Sequence, residues 1–211
     1  MSALQPAGPS AQASAWLWWG MFGFFTLVLV VVVLLWLYAI RRDPGEVSDR
    51  QAQRSQNRWI VGGGLVLPIL SITALLIVGI ALGQRMLALP LATGEPLQIE
   101  ITAHQWWWEI SYPGSDIVLR DEVHIPAGVP VDLQLTSADV VHSFWVPRLG
   151  GKMDMFPGRT NTLRLEADHP GIYHGSCSEF CGQGHAHMHF TVEAHEPAAF
   201  EAWLKQRQAN D

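Results

Sequence analysis

Hydrophobic positions along this chain follow two different rules, and the rule changes near residue 84. Before it lie two uncharged runs, Trp16–Ile40 and Trp59–Gly83, of 25 residues each. A bilayer span needs about 20 apolar residues at 1.5 Å rise per residue, and a soluble core helix rarely stays uncharged for so long. Both runs therefore predict transmembrane helices. Past residue 96 the pattern alternates: Leu97–Ala103, Val129–Thr136, Arg159–Ala167 and Met188–Val192 exchange apolar and polar residues with the period of half-buried strands. Pro and Gly at 112–114, 125–128, 156–158 and 169–171 supply the turns between them. Many short strands so punctuated predict a small sandwich or barrel. Pro197–Gln208 reads as a closing helix with Phe200, Trp203 and Leu204 on one face.

The chain thus divides into a short outward-facing segment (1–15), transmembrane helix 1 (16–40), a cytoplasmic loop (41–58), helix 2 (59–84), a Pro/Gly-broken linker (85–96), a β domain (97–196), and a C-terminal helix and tail (197–211). Five arginines against three acids place the 41–58 loop on the cytoplasmic side, so both termini face outward. Residues 1–15 contain no Lys or Arg, so the first span lacks the basic flank of a cleaved signal peptide. Beyond Gly83, sixteen acids face eight bases. That balance disfavours nucleic acid or anionic lipid as partners of the exterior domain and would steer in a cationic protein. Eleven arginines against two lysines, with an unextended amino terminus, lean towards a bacterial inner membrane.

The chemistry concentrates in Gly175–Met188, GSCSEFCGQGHAHM, which holds both cysteines of the chain. Cys177, Cys181, His185 and Met188 fall at helical steps, but Gly182 and Gly184 each cost roughly 1 kcal/mol in a helix and favour a wrapped loop. Thiolate, imidazole and thioether together select copper or other soft metals, copper first; zinc seldom recruits methionine, and calcium or magnesium want oxygen. A mononuclear blue-copper site uses one cysteine, so the second allows two thiolates to bridge two copper ions, each needing one more nitrogen. The alternatives are a disulfide, natural for exported cysteines, and a zinc site. His142, in DVVHSFWVPRL (139–149), is the choice for the second imidazole; the plainer reading is a core histidine among Val140, Val141, Phe144 and Trp145.

Two amino-terminal spans, the run Gln105-Trp106-Trp107-Trp108, the segments DVVHSFWVP and GGKMDMFPGR, and CSEFCGQGHAHM occur in one order over nearly the whole chain, which resembles subunit II of haem-copper cytochrome c oxidases. The resemblance implies a two-helix transmembrane hairpin followed by an all-β, cupredoxin-like Greek-key barrel carrying a dinuclear CuA centre. It implies that Cys177 and Cys181 bridge the coppers, that His142 and Met188 complete one, and that His185 with the Glu179 carbonyl completes the other. The Glu179 side chain would reach magnesium or manganese at the boundary with subunit I. Trp106 would be where electrons enter from cytochrome c or another cationic donor, with Asp154, Asp139, Asp132 and Glu109 as docking acids. Electrons would pass to haem in subunit I, where oxygen is reduced with proton pumping; subunit III is a further implied partner.

If Trp106 and Trp108 lie on one strand they share a face and Trp107 takes the other, so at least one ring should be buried. Two departures from the family stand out. No acid lies between Asp49 and Gly94, where many members carry a glutamate at the start of the second span, and no C-x-x-C-H for a fused haem occurs. Quinol oxidase subunit II shares the fold but lacks the copper ligands. Nitrous oxide reductase is much longer, with a further catalytic domain. A membrane-tethered copper chaperone or binding protein is the alternative function.

Overall fold

The computed structural model describes residues 2–43, 45–90 and 94–210, which fall into two compact units: Trp16–Arg85, and a unit joining the first 15 residues to those from Met86 onward. In the helical unit, α1 (Pro9–Arg41) is followed by α2 (Asp49–Val61), which runs through a π-helical turn, Gly62–Val66, into α3 (Leu67–Met86). Pro9–Arg41 and Asp49–Gln84 are both long and apolar enough to cross a membrane. Each begins earlier than its uncharged run. Pro9 suits a first helical turn, where its missing N–H costs nothing. Asp49 opens α2 in a stretch of good helix formers, DRQAQR, so the helix extends into the segment expected as a loop over 41–58. In the π turn the Leu67 N–H donates to the Gly62 carbonyl five residues back, just before Pro68, which has no N–H to give. Of the linker expected over 85–96, residues 91–93 lie outside the described residues.

In the other unit the alternation becomes ten strands: β1 (Leu97–His104), β2 (Trp107–Ser111), β3 (Val118–Arg120), β4 (Glu122–Pro126), β5 (Val131–Ser137), β6 (His142–Trp145), β7 (Met153–Met155), β8 (Asn161–Leu165), β9 (Gly171–Cys177) and β10 (His189–His195), followed by α4 (Pro197–Asn210). They form two five-stranded sheets, β3-β2-β1-β5-β8 and β4-β10-β9-β6-β7, in which β1/β5 and β10/β4 pair parallel and the other neighbours antiparallel. The crossovers make a Greek-key sandwich. Ile99, Ile101 and Ala103 of β1, Leu133 and Leu135 of β5, and Val192 and Ala194 of β10 fill the core, while the residues between them turn outward.

The three tryptophans are not one alternating strand. Trp106 sits in the turn between β1 and β2 with 41% of its surface exposed, Trp107 begins β2 and stacks on His104, and Trp108 is fully buried. Trp108 meets Phe190 at 5.0 Å and Phe144 at 5.6 Å between ring centres, and Phe144 stacks on Phe190 at 4.3 Å. Asp132, expected as a docking acid, is buried instead, both its oxygens taken by Arg164 at 2.7 and 2.8 Å, so it offers no charge to a partner.

The amino terminus belongs to the β unit. The Ala7 N–H donates to the Arg148 carbonyl (2.7 Å), the Asp168 N–H donates to the Ala7 carbonyl (2.8 Å), and the Ala11 N–H reaches Leu149 (3.3 Å). A side chain on Gly8 would lie 2.3 Å from the Glu166 carbonyl, so only glycine lets the segment approach so closely.

A Cβ on Gly175 of β9 would meet the Phe190 ring at 2.1 Å. Gly175→Ala is expected to destabilise the β unit by about 1–3 kcal/mol, the usual cost of overpacking. Near-ultraviolet circular dichroism of the full chain in detergent would follow the unfolding midpoint, and an unchanged midpoint would mean that Phe190 repacks freely.

Candidate metal centre

Strands β9 and β10 are antiparallel neighbours whose connection, Ser178–Met188, is closed at its base by the Cys177 N–H donating to the Met188 carbonyl (3.0 Å). The loop therefore starts and ends on sulfur donors. A bond from the Ser178 N–H to the Ser143 carbonyl (2.9 Å) ties it to β6, whose first residue is His142. Gly182 adopts φ +117, a conformation that favours glycine, and His185–His187 form one 3-10 turn that returns the chain to β10. The loop reading of the CGQGH stretch is the conformation observed.

These constraints bring five side chains together. The two sulfurs of Cys177 and Cys181 stand 3.8 Å apart; His142 Nδ1 is 3.8 Å from the first, and His185 Nδ1 and Met188 Sδ are 3.6 and 3.8 Å from the second. The Glu179 carbonyl lies 3.2 Å from the Cys177 sulfur. Both cysteines are free thiols, well beyond the roughly 2.05 Å of a disulfide. His142, Cys177, Cys181 and Met188 are buried. Two thiols, two imidazoles, a thioether and one carbonyl fit soft or borderline transition ions, copper foremost, and do not fit the all-oxygen preference of calcium or magnesium.

Hydrogen bonding prepares the donors. His142 Nε2 donates to Asp139 Oδ1 (2.8 Å), which leaves the Nδ1 lone pair facing the thiols. Asp139 is itself gripped by the backbone N–H groups of Gln105 and Val140, both at 2.6 Å. Partial burial opposes its charge, but these bonds and the His142 imidazole hold its carboxyl below the usual range. Burial likewise disfavours charge on His142, yet contacts with Cys177 and Asp139 raise its pKa. Burial and the facing Cys177 sulfur push the Cys181 thiol up. At Cys177 the burial penalty is outweighed by bonds to His142 and to the backbone at Glu179 and Ser143, and its thiol falls. Cys177 is the sulfur that yields its proton first.

Trp106 lies flat over the loop. Its indole N–H donates to the Cys181 carbonyl (3.2 Å), which also accepts from Gln105 Nε2 (2.8 Å). Side chains on Gly184 would fall 2.4 Å from the Trp106 ring, so the glycine is what lets the ring settle there. The Glu179 carboxylate points away from the thiols to Lys152 Nζ (3.1 Å), which also holds Asp154 (2.9 Å) and lowers its pKa. Asp154 and Glu109 are half-buried and reach the surface. Asp139, expected as a docking acid, is exposed and gives one carboxylate oxygen to His142. Neither that function nor the bond from Gln105, 76 residues distant from Cys181, was read from the sequence; the i,i+3 spacing of Asp139 and His142 was the one available sign.

Fold and site together define a cupredoxin-like domain whose thiol, imidazole and thioether donors could hold a transition-metal ion, in a chain that also carries two membrane-length helices. Comparisons with known proteins make the assignment narrower. The family model described as cytochrome c oxidase subunit II, periplasmic domain, matches residues 116–195. Cytochrome c oxidase subunit 2 of Alkalihalophilus pseudofirmus is 36% identical over 99% of this chain, which spans 63% of that relative's length. Quinol oxidase subunit 2 of Bacillus cereus is 31% identical over 99% of the chain and 73% of its own length. The crystal structure of the periplasmic domain of Bradyrhizobium japonicum cytochrome oxidase subunit II (CoxB) aligns with TM-score 0.51 and 30% identity, covering 55% of this chain and 96% of that one. The chain belongs to the cytochrome c oxidase subunit II family.

Because Asp139 fixes the His142 tautomer, Asp139→Ala is expected to weaken metal retention at the thiol site about 10–100-fold, the usual effect of removing a ligand's hydrogen-bond partner. Chelator competition on the purified chain would measure it, and full retention would remove Asp139 from the site.

Proposed function

We propose that this chain is the electron-accepting subunit of a haem-copper cytochrome c oxidase and that its donors hold a dinuclear CuA centre. The observation that carries this reading is the pair of free thiols 3.8 Å apart with an imidazole beyond each, a set of sulfur and nitrogen donors that would suffice to hold two ions. The copper pair, when bound, supplies a reversible one-electron store. The chain's own part is to keep the donors still: β9 carries Cys177, β6 carries His142, which Asp139 orients, the Cys177–Met188 backbone bond holds Met188 beside them, and the buried aromatic group of Trp108, Phe144 and Phe190 lies behind. Burial also separates this site from a chaperone's, whose ligands must be open to a partner.

Trp106, exposed on one edge and bonded to the Cys181 carbonyl, joins the surface to the ligand loop and is the residue where electrons enter. Asp154 and Glu109 contribute to an acidic face for cytochrome c, where charge acts chiefly on association rate and its salt dependence. The complete ligand set favours cytochrome c over quinol as the donor. Electrons then leave for haem in subunit I, the seat of oxygen reduction and proton pumping, with subunit III alongside. The Glu179 side chain, exposed and bonded to Lys152, is free to turn to magnesium or manganese at the subunit I boundary. Placement of residues 1–15 in the same unit as the β domain supports a topology with both termini and the copper domain on the periplasmic side of a bacterial inner membrane.

Copper analysis and electron paramagnetic resonance on the full chain in detergent test the reading. Two coppers per chain sharing one unpaired electron, with hyperfine splitting from both nuclei that is lost in Cys181→Ser, are expected. A spectrum from a single copper nucleus, or zinc in its place, overturns it.

A further inference from the structure

A second group of ligating side chains lies far from the thiols. Glu193 of β10 is the register partner of His124 on β4, and Glu122 and His195 stand two residues along their respective strands. Strand alternation therefore puts all four on one face, opposite Val123, Ile125, Val192 and Ala194, which enter the core. That outer face is covered by α4: Trp203 stacks on His124 at 4.1 Å between ring centres, and its plane lies within 20° of the His195 ring. His124 is buried as a result, whereas His195 and the two carboxylates keep an edge to solvent. His195 is six residues along β10 from His189, the first residue past the thiol loop, or about 20 Å at the rise of a strand.

The four groups make a defined electrostatic problem. His124 Nδ1 and His195 Nε2 point at each other across 2.7 Å, with ring planes within 13°. Behind them, Glu122 Oε1 lies 3.2 Å from His124 Nε2, and Glu193 Oε1 lies 3.8 Å from His195 Nδ1. A neutral imidazole carries one N–H. If each ring turns that N–H towards its carboxylate, two bare lone pairs meet in the middle. If either ring donates across the gap instead, its outer nitrogen presents a lone pair to a carboxylate. Either way the cluster is one positive charge short, and Glu193 Oε2, 3.9 Å from His124 Nδ1, faces the gap between the rings. Nε2 of His124 makes no hydrogen bond of good geometry although it is buried.

We propose that His124, His195 and Glu193 bind a divalent transition-metal ion of borderline softness, zinc or copper(II), with Glu122 orienting His124 from behind, and that the ion clamps β4 to β10 beneath α4. Two imidazoles and a carboxylate are a donor set such ions accept. A proton is the weaker candidate: burial disfavours charge on His124, and the Arg207 guanidinium on α4 and the neighbouring His195 oppose it further, against the attraction of Glu122 and Glu193. Metal–nitrogen bonds of about 2.0–2.1 Å require the facing nitrogens to part beyond 2.7 Å. His195, at the end of β10 and partly exposed, is the ring placed to move.

The test uses zinc alone on the full-length chain in detergent. Equilibrium dialysis with metal analysis is done on a chain carrying Cys177→Ser and Cys181→Ser, so that uptake reports the second site. One zinc per chain, at least about tenfold weaker binding in His195→Ala and in Glu193→Gln, and a zinc-dependent rise in the unfolding midpoint that these variants lose, are expected. Because the stacked His124 could be needed for folding, the two more exposed variants carry the test. Zinc uptake that is unchanged in both variants, or no zinc retained at micromolar concentrations while the histidine pair only titrates, overturns the proposal.

Discussion

The bond from the Cys177 N–H to the Met188 carbonyl is the constraint on which the thiol site depends. It is the last rung of the β9–β10 ladder, and it makes the intervening residues a closed excursion rather than a free loop. Once the rung is fixed, Cys177 and Met188 lie side by side at the base, and Cys181 and His185 have only a short arc in which to sit. The bond from Ser178 to Ser143 then sets β6, and with it His142, against the same arc. Sheet geometry thus brings together donors separated by up to 46 residues.

Around this arc the polar contacts are short and face one way. Asp139, Gln105 and Trp106 all come from the ends of β1 and β5 in the other sheet, and they cap the loop by gripping the His142 ring and the Cys181 carbonyl. The site is therefore built across both sheets of the sandwich, and a shift of one sheet over the other would be felt at the ligands. The rigid backing of Trp108, Phe144 and Phe190 resists that shift, since closely packed aromatic groups leave few alternative arrangements.

Much of this was legible from the chain. Alternation located β1, β5 and β10 to within a few residues, because one face of each strand is buried and the other is not. Cys177, Cys181, His185 and Met188 were readable because all four lie in one short segment. His142 could be chosen only because the thiol cluster called for a second imidazole, since its nearest partner, Cys177, is 35 residues away and local pattern alone reads it as a core histidine. The true start of the second helix was hidden, because hydropathy marks the apolar stretch and not the polar turns that continue it from Asp49. Asp132 was misread because its burial depends on Arg164, a cross-strand partner that no local pattern reveals. The cluster on β4 and β10 was invisible for the same reason: parallel pairing of strands almost 70 residues apart creates it.

The amino-terminal segment has a consequence for biogenesis. Ala7 is hydrogen-bonded to Arg148 and Asp168, so a segment ahead of the two apolar helices is completed by residues far beyond them. Two membrane-length helices separate them in the chain. Closing such a contact requires a very long loop to be brought together, and non-local contacts of this kind form late. The segment must therefore wait, unpaired, until the residues that receive it have been made, and the sandwich can seal that edge only when the two stretches meet. Folding of the β unit and the course of the chain through both long helices thus become a single requirement, checked by the chain itself.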